Sequence, residues 1–213
     1  ALSSAASDVY KRQVLKGPMD DYPITQWLVR LFTIEDFMTP EENYYSCLLG
    51  CLTALRRGTT VVNDMAMWPS LDDGIRAVYD SKIRATIGLS TTDVAENAVT
   101  PILSIEEALR RSELVYQRVH GLGGRLKASV APAGLPAVSG RMVQALKRFA
   151  DERGLIFHTH LAEGRMETEA VAKAYGLSGE AEALEQLGIL DEHTLLAHSI
   201  WLSDRELDII AKS

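Results

Sequence analysis

Cysteine is nearly missing from this chain. It carries two, Cys47 and Cys51, in 213 residues, spaced as neighbours on one helix face. A disulfide framework is excluded, and a reducing, cytoplasmic setting is expected. Long apolar runs are missing too. The longest, Cys47 to Leu55, is broken by Gly50 and Thr53 and is too short to span a bilayer. Positive charge is in deficit: the net charge of −7 argues against nucleic acid or an anionic membrane as partner. Sequence repeats and low-complexity linkers are absent. So is a G-x-G-x-x-G fingerprint after a first strand. The glycine cluster Gly121-Leu122-Gly123-Gly124 follows a helix and lacks the Lys-Ser/Thr ending, so it is a turn and not a phosphate loop.

What remains suits a soluble globular protein. A hydrophobic share of 46% and a charged share of 24% leave ample material for one large core. Residues 1–13 have no initiator methionine and no apolar signal core, and Ser3-Ser4-Ala5-Ala6-Ser7 resembles a junction. They are set aside as a non-native or disordered leader, with 14–213 as the domain. The helical pattern from Asp204 to Ser213 has no stop signal after it. A piece of a longer chain is therefore expected.

Read in order, strands and helices alternate. Pro23 to Phe32 is a short helix with Trp27, Leu28 and Leu31 on one side. Thr39-Pro40-Glu41-Glu42 is a helix start, with a Thr cap, Pro in the first turn and Glu three residues after the cap. That helix runs to about Arg57 and stops at Gly58. The β-branched run Thr59 to Asn63 predicts a buried strand. Further strands are predicted at Ile83–Leu89, Leu126–Ala131, Leu155–Leu161 and Thr194–His198. Helices are expected over 72–81, 104–120, 139–153, 168–175, 180–187 and 202–211. Strict alternation argues for a parallel sheet with helical crossovers. Two architectures fit: part of a (β/α)8 barrel, whose complete form needs about 250 residues, or an open doubly wound sheet.

Chemistry gathers at strand ends, where parallel α/β folds carry their sites. In Leu155-Ile156-Phe157-His158-Thr159-His160-Leu161-Ala162-Glu163, period-two alternation sends His158 and His160 to one face. Glu163 follows close behind, so an imidazole and a carboxylate come within reach of one point, as metal-assisted hydrolysis requires. The competing reading is a pair of hydrogen-bonded core histidines. Asn63-Asp64 closes the first predicted strand, and Asp64 either lines a site or bonds loop amides. His198 closes the fifth, as a site residue or a satisfied core histidine. Ala131-Pro132-Ala133-Gly134 follows the third strand. Trp68, before Pro69, either lines a pocket or covers the rim. His120 and His193 fall in turn or helix-end contexts and read as solvated.

Taken together, these runs resemble a known family. His158-Thr159-His160-Leu161-Ala162-Glu163, Leu184-Glu185-Gln186-Leu187-Gly188-Ile189-Leu190 and Thr194-Leu195-Leu196-Ala197-His198 are similar to the amidohydrolase superfamily. Within it they resemble the branch of triazine chlorohydrolases and of guanine and S-adenosylhomocysteine deaminases. Gly17-Pro18-Met19-Asp20-Asp21-Tyr22-Pro23 with Trp27-Leu28 resembles the segment after that family's first strand. Gly58-Thr59-Thr60-Val61-Val62-Asn63-Asp64-Met65 resembles its second. The resemblance runs from about Val14 to the end.

It implies a partial (β/α)8 barrel of about five β-α units, family strands two to six, binding one divalent metal, zinc first and iron second. His160 would be the metal ligand and Glu163 the proton shuttle. His198 would orient water or polarise the substrate. His158 would stand one layer behind His160, with Asp64, Trp68 and Ala133 lining the substrate. The implied reaction is hydrolysis of a C–N bond in an N-heterocyclic amine, with a C–halogen bond, or a non-catalytic binding module, as alternatives. The implied partner is a small molecule, with a homodimer as the assembly. Three features depart from the family pattern. No His-x-His pair precedes Leu15. No strand ending in Asp follows within the chain. Ala133 stands where the family often carries His or Cys, which removes one contact expected for purine nucleosides.

Overall fold

The computed structural model describes residues 22, 24–35, 37–66, 71–95 and 101–213. In chain order they form α1 (Ile24–Glu35), α2 (Pro40–Arg56), β1 (Val61–Ala66), α3 (Leu71–Ser81), β2 (Arg84–Thr91), α4 (Ile105–Val119), a short 3-10 turn at Leu122–Gly124, β3 (Leu126–Pro132), α5 (Gly140–Glu152), β4 (Ile156–Leu161), α6 (Arg165–Tyr175), α7 (Glu180–Gln186), β5 (Thr194–His198) and α8 (Asp204–Lys212). The leader, and the stretch holding Trp68, lie outside the described residues. The chain divides into two compact units, one of residues up to 87 with 116–127, the other of 88–115 with 128–213.

The capping chemistry read from the sequence forms. The Thr39 hydroxyl accepts the Glu42 N–H at 3.3 Å, and the Glu42 carboxylate accepts the Thr39 N–H at 2.8 Å. Two helix-end donors are satisfied reciprocally. Ser203 and Glu206 repeat the device at the start of α8.

Helix ends also explain where two strands begin. At the end of α2, Gly58 turns left-handed (φ 86), its N–H donates to Leu55 O, and the Thr59 N–H donates to Ala54 O. This closure consumes the Thr59 amide, so β1 starts at Val61 and not at Thr59. Gly154 does the same after α5, with the Leu155 N–H given to Ala150 O, so β4 starts at Ile156. β1 also runs past its predicted end. Asn63 and Asp64 therefore lie inside the strand, where the Asn63 side chain accepts the Thr86 hydroxyl at 2.7 Å.

The strands make one five-stranded sheet in the order β1-β2-β3-β4-β5, with β3 parallel to β4 and β4 parallel to β5. Sequential neighbours joined by helices are the arrangement of a barrel wall, not of an open sheet with reversed order. The sheet is apolar along much of its length: Ile87, Val130, Phe157 and Leu161 are buried, as are Met142 and Leu146 of α5. Cys47 and Cys51 are buried and form no disulfide. Among the described residues no helix is long and apolar enough to cross a membrane.

One buried charge ties α5 to the entry of β5. Lys147 is 4% exposed; its ammonium pairs with Asp151 and lies 2.5 Å from Asp191 Oδ2. Asp191 also accepts the His193 N–H at 2.9 Å and the Thr194 hydroxyl at 3.0 Å. Burial pulls the lysine downward, but the two carboxylates win and raise it. Burial pushes Asp191 upward, but Lys147 and the two hydrogen bonds win and hold it below 3.8. Asp191→Asn should cost about 1 kcal/mol, below what a charged hydrogen bond usually contributes because Asp191 is 40% exposed. The check is a lower urea midpoint with an unchanged slope. A carboxylate with a depressed pKa contributes above its unfolded value, so the gap between wild type and variant should close as pH falls below 3.8.

Candidate active site at the ends of β4 and β5

The register of β4 on β5 pairs His158 with Leu195, His160 with Ala197 and Leu161 with His198. His160 and His198 therefore sit at the same, C-terminal end of adjacent strands. Pairing across a parallel sheet also fixes faces. Residues opposite one another share a face, so an unbroken pleat would aim His198 with Leu161, away from His160. It would likewise aim Glu163 away from His160.

Two backbone turns overturn that geometry. Ala162 has φ 49 and His198 has φ 68, with Ser199 at φ 53. These are left-handed conformations that a non-glycine residue adopts at a cost of roughly 1–2 kcal/mol. They take both strands out of the pleat just where the candidate site residues stand. The His160 and His198 rings then stack, with centroids 5.2 Å apart and planes 17° from parallel. His198 Nε2 lies 3.4 Å from Glu163 Oε1. One ligand atom each from His160, Glu163 and His198 falls within 4.8 Å of the others. The two outer side chains are open to solvent, Glu163 at 34% and His198 at 24%.

A cage of backbone hydrogen bonds holds this end of the sheet. The Ala133 carbonyl accepts the His160 N–H at 3.2 Å and His160 Nδ1 at 2.5 Å. A carbonyl can only accept, so Nδ1 carries the proton and Nε2 is the basic nitrogen. Leu161 O accepts the Ser199 N–H at 2.8 Å, and Ala162 O accepts the amides of Ile200 and Trp201 at 3.1 and 3.0 Å. The Ala162 N–H donates to Glu180 Oε2 at 3.0 Å. Glu180, in the first turn of α7, is 3% exposed. Burial pushes its carboxyl up to about 7, against the lowering effect of the Ala162 amide; the nearby Glu206 raises it further and His160 lowers it.

The residues expected from the sequence fall into three groups. His160, Glu163 and His198 are brought together. His158 is on β4 below His160 and is 1% exposed. Ala133 adjoins His160 through its carbonyl rather than through its small side chain. Asp64 is buried inside β1, 2% exposed, in the other compact unit. Trp68 is outside the described residues. Sequence reasoning missed the Ala133 carbonyl, the Glu180 carboxyl and the left-handed Ala162. Only Glu180 left a trace, and an acid in a helix first turn reads as an ordinary dipole partner.

Two imidazoles and a carboxylate form a nitrogen and oxygen donor set of the kind that zinc or iron takes. The His160 ring, oriented by a backbone carbonyl, has the second partner that metal-bound histidines characteristically show. The residues present fit a divalent metal.

The 5'-deoxyadenosine deaminase of Methanothermobacter thermautotrophicus is 29% identical over 201 residues, which are 93% of this chain and 45% of that protein. The chain thus spans about half the length of such relatives. Among solved structures, atrazine chlorohydrolase TrzN from Arthrobacter aurescens TC1 complexed with zinc superposes with a TM-score of 0.82 at 17% identity, over 96% of this chain and 49% of that one. The guanine deaminase from C. acetobutylicum, with bound guanine in its active site, gives 0.81 at 21% identity, over 98% and 50%. At these identities the likeness establishes the fold, a partial (β/α)8 barrel. The Amidohydrolase family matches residues 11–213, nearly the whole sequence, and this chain belongs to it.

Proposed function

We propose that the protein of which this chain forms part hydrolyses the C–N bond of an N-heterocyclic amine and releases ammonia. The observation that carries the reading is the convergence of His160, Glu163 and His198, with ligand atoms within 4.8 Å, at the ends of two parallel strands. A deaminase-like reaction needs one group to hold a metal, one to move a proton and one to orient the reactants, and the three side chains supply them. The matching relatives are named for purine nucleosides, so these belong to the substrate class despite the missing side chain at Ala133. The acidic net charge and the scarcity of cysteine support a cytoplasmic enzyme acting on a small molecule.

His160 would hold the metal through Nε2, its Nδ1 being engaged by Ala133 O. When bound, the metal would supply the Lewis acidity that makes water a nucleophile near neutral pH. Zinc is the first choice because nitrogen donors with a carboxylate close by suit it. Glu163 takes a proton from the attacking water and delivers it to the departing nitrogen, so the carboxylate ends the cycle as it began. His198, 3.4 Å from Glu163, steadies that carboxylate and orients the attacking water or polarises the substrate. The balance is water plus a ring amine giving a ring hydroxyl, or its keto tautomer, plus ammonia.

The test is amine release by the full-length protein from a panel of amino-substituted purines, pyrimidines and triazines, with chloride release from chlorotriazines measured in parallel. Ammonia is expected; chloride alone would replace this reading with the dehalogenating one, and neither product would end it. Glu163→Gln should keep its metal and lose at least about 10²-fold in kcat, since the amide cannot accept the proton. His160→Ala should lose metal content together with activity, as read by elemental analysis after gel filtration. His198→Ala should retain metal and lose rate. Removal of metal by chelation should abolish turnover, and zinc should restore it.

A further inference from the structure

We propose that Glu180 is a positioning residue that latches the left-handed turn at Ala162, and so aims Glu163 beside His160 and His198. Its catalytic consequence rests on the function proposed above; its structural part does not.

Ala162 is 1% exposed and sits between the residue that leaves β4 and the carboxylate that works. Both polar groups of its backbone are met inside the protein. The carbonyl takes two amides from the loop after β5, and the N–H goes to Glu180. In an unbroken strand that N–H would face a neighbouring strand. Out of the pleat and buried, it needs a dedicated acceptor. The neighbouring buried acids serve helix starts: Glu182 accepts the Ser178 N–H, and Glu206 accepts those of Ser203 and Ala181. Glu180 alone of the three reaches from its helix to a strand end.

The helix that carries it is itself fixed. Glu206, from the capping box of α8, accepts the Ala181 N–H at 3.0 Å, and a side chain at Gly179 would meet the Glu206 carboxylate at 2.1 Å. The first turn of α7 is thereby seated against the first turn of α8. The loop between β5 and α8 holds the other side of the Ala162 peptide. Glu180 thus closes a ring of contacts running from Ala162 through Ile200 and Trp201 to α8 and back through α7. A methionine in its place would fill the space but leave the Ala162 amide without an acceptor.

The test compares Glu180→Met, which removes the acceptor, with Glu180→Gln, which keeps a carbonyl oxygen there, in the full-length protein. Hydrogen exchange at the Ala162 amide is read alongside kcat, KM, bound metal and melting temperature. In Glu180→Met, exchange at Ala162 should quicken, and kcat should fall, each by about tenfold, the scale of leaving one buried amide without its acceptor. KM and metal content should stay within about twofold, because the ligand and the substrate contacts remain. Glu180→Gln should restore both exchange and kcat. Should Glu180→Met not fold, Glu180→Asp, which is one methylene too short to reach, carries the same expectation. Wild-type exchange and kcat in the acceptor-less variant would overturn the proposal. So would a folded Glu180→Gln as impaired as Glu180→Met. If the wild-type protein released no amine from any substrate, the proposed function would fail, and the exchange measurement would still decide the latch.

Discussion

The site depends on a departure from β geometry. Two parallel strands in register present alternating faces, and that rule would put His160 on one side of the sheet with Glu163 and His198 on the other. Left-handed backbone at Ala162 and at His198 breaks the rule at both strand ends. The cost is local, and it is met by hydrogen bonds that exist only in the turned conformation. Leu161 and Ala162 carbonyls accept three amides from the loop after β5, and the Ala162 N–H finds Glu180. Each strand end therefore stabilises the other, and neither turn would be expected in isolation.

The rest of the unit supports this junction. Parallel strands joined by helices bury both faces of the sheet, and the apolar sides of β4, with Phe157 and Leu161 fully buried, fix the strand's rotation. That rotation decides which way His158 and His160 point. Ala133, just past the end of β3, sets the ring of His160 through its carbonyl and so selects the nitrogen left open on that ring. Lys147, on α5, pairs with Asp151 on its own helix and with Asp191 at the entry of β5, and so holds the far end of the strand that carries His198.

Charge is placed with similar economy of position. Glu163 is partly open to solvent, as the proton transfer proposed for it requires. Glu180 is shut away, and burial raises its carboxyl to about 7. Two glutamates near one histidine thus have opposite environments. One is open to solvent, as the proposed proton transfer needs, and the other holds a backbone amide. The distinction is set by burial, not by residue type.

Much of this protein was legible in the sequence. Alternating strand and helix patterns, the Thr39 cap, and the strand-end histidines follow from periodicities and local hydrogen bonding that each segment carries by itself. Alternation alone leaves a barrel and an open sheet both possible; the sequential five-strand order is the one that the family resemblance implies. The run from His158 to Glu163, read beside Thr194 to His198, pointed to the family because residue types at fixed spacing survive without coordinates. The strand starts at Val61 and Ile156 were displaced from Thr59 and Leu155 because helix closure consumed amides that a propensity reading gives to the sheet. The left-handed turns, the Ala133 carbonyl and the Glu180 carboxyl were decided only in three dimensions. An alanine or a histidine adopts positive φ when distant amides and carboxylates make that conformation the satisfied one, and those partners come from other strands and helices. Sequence spacing sets what a segment prefers alone; which preference is overruled is settled by the groups that packing brings against it.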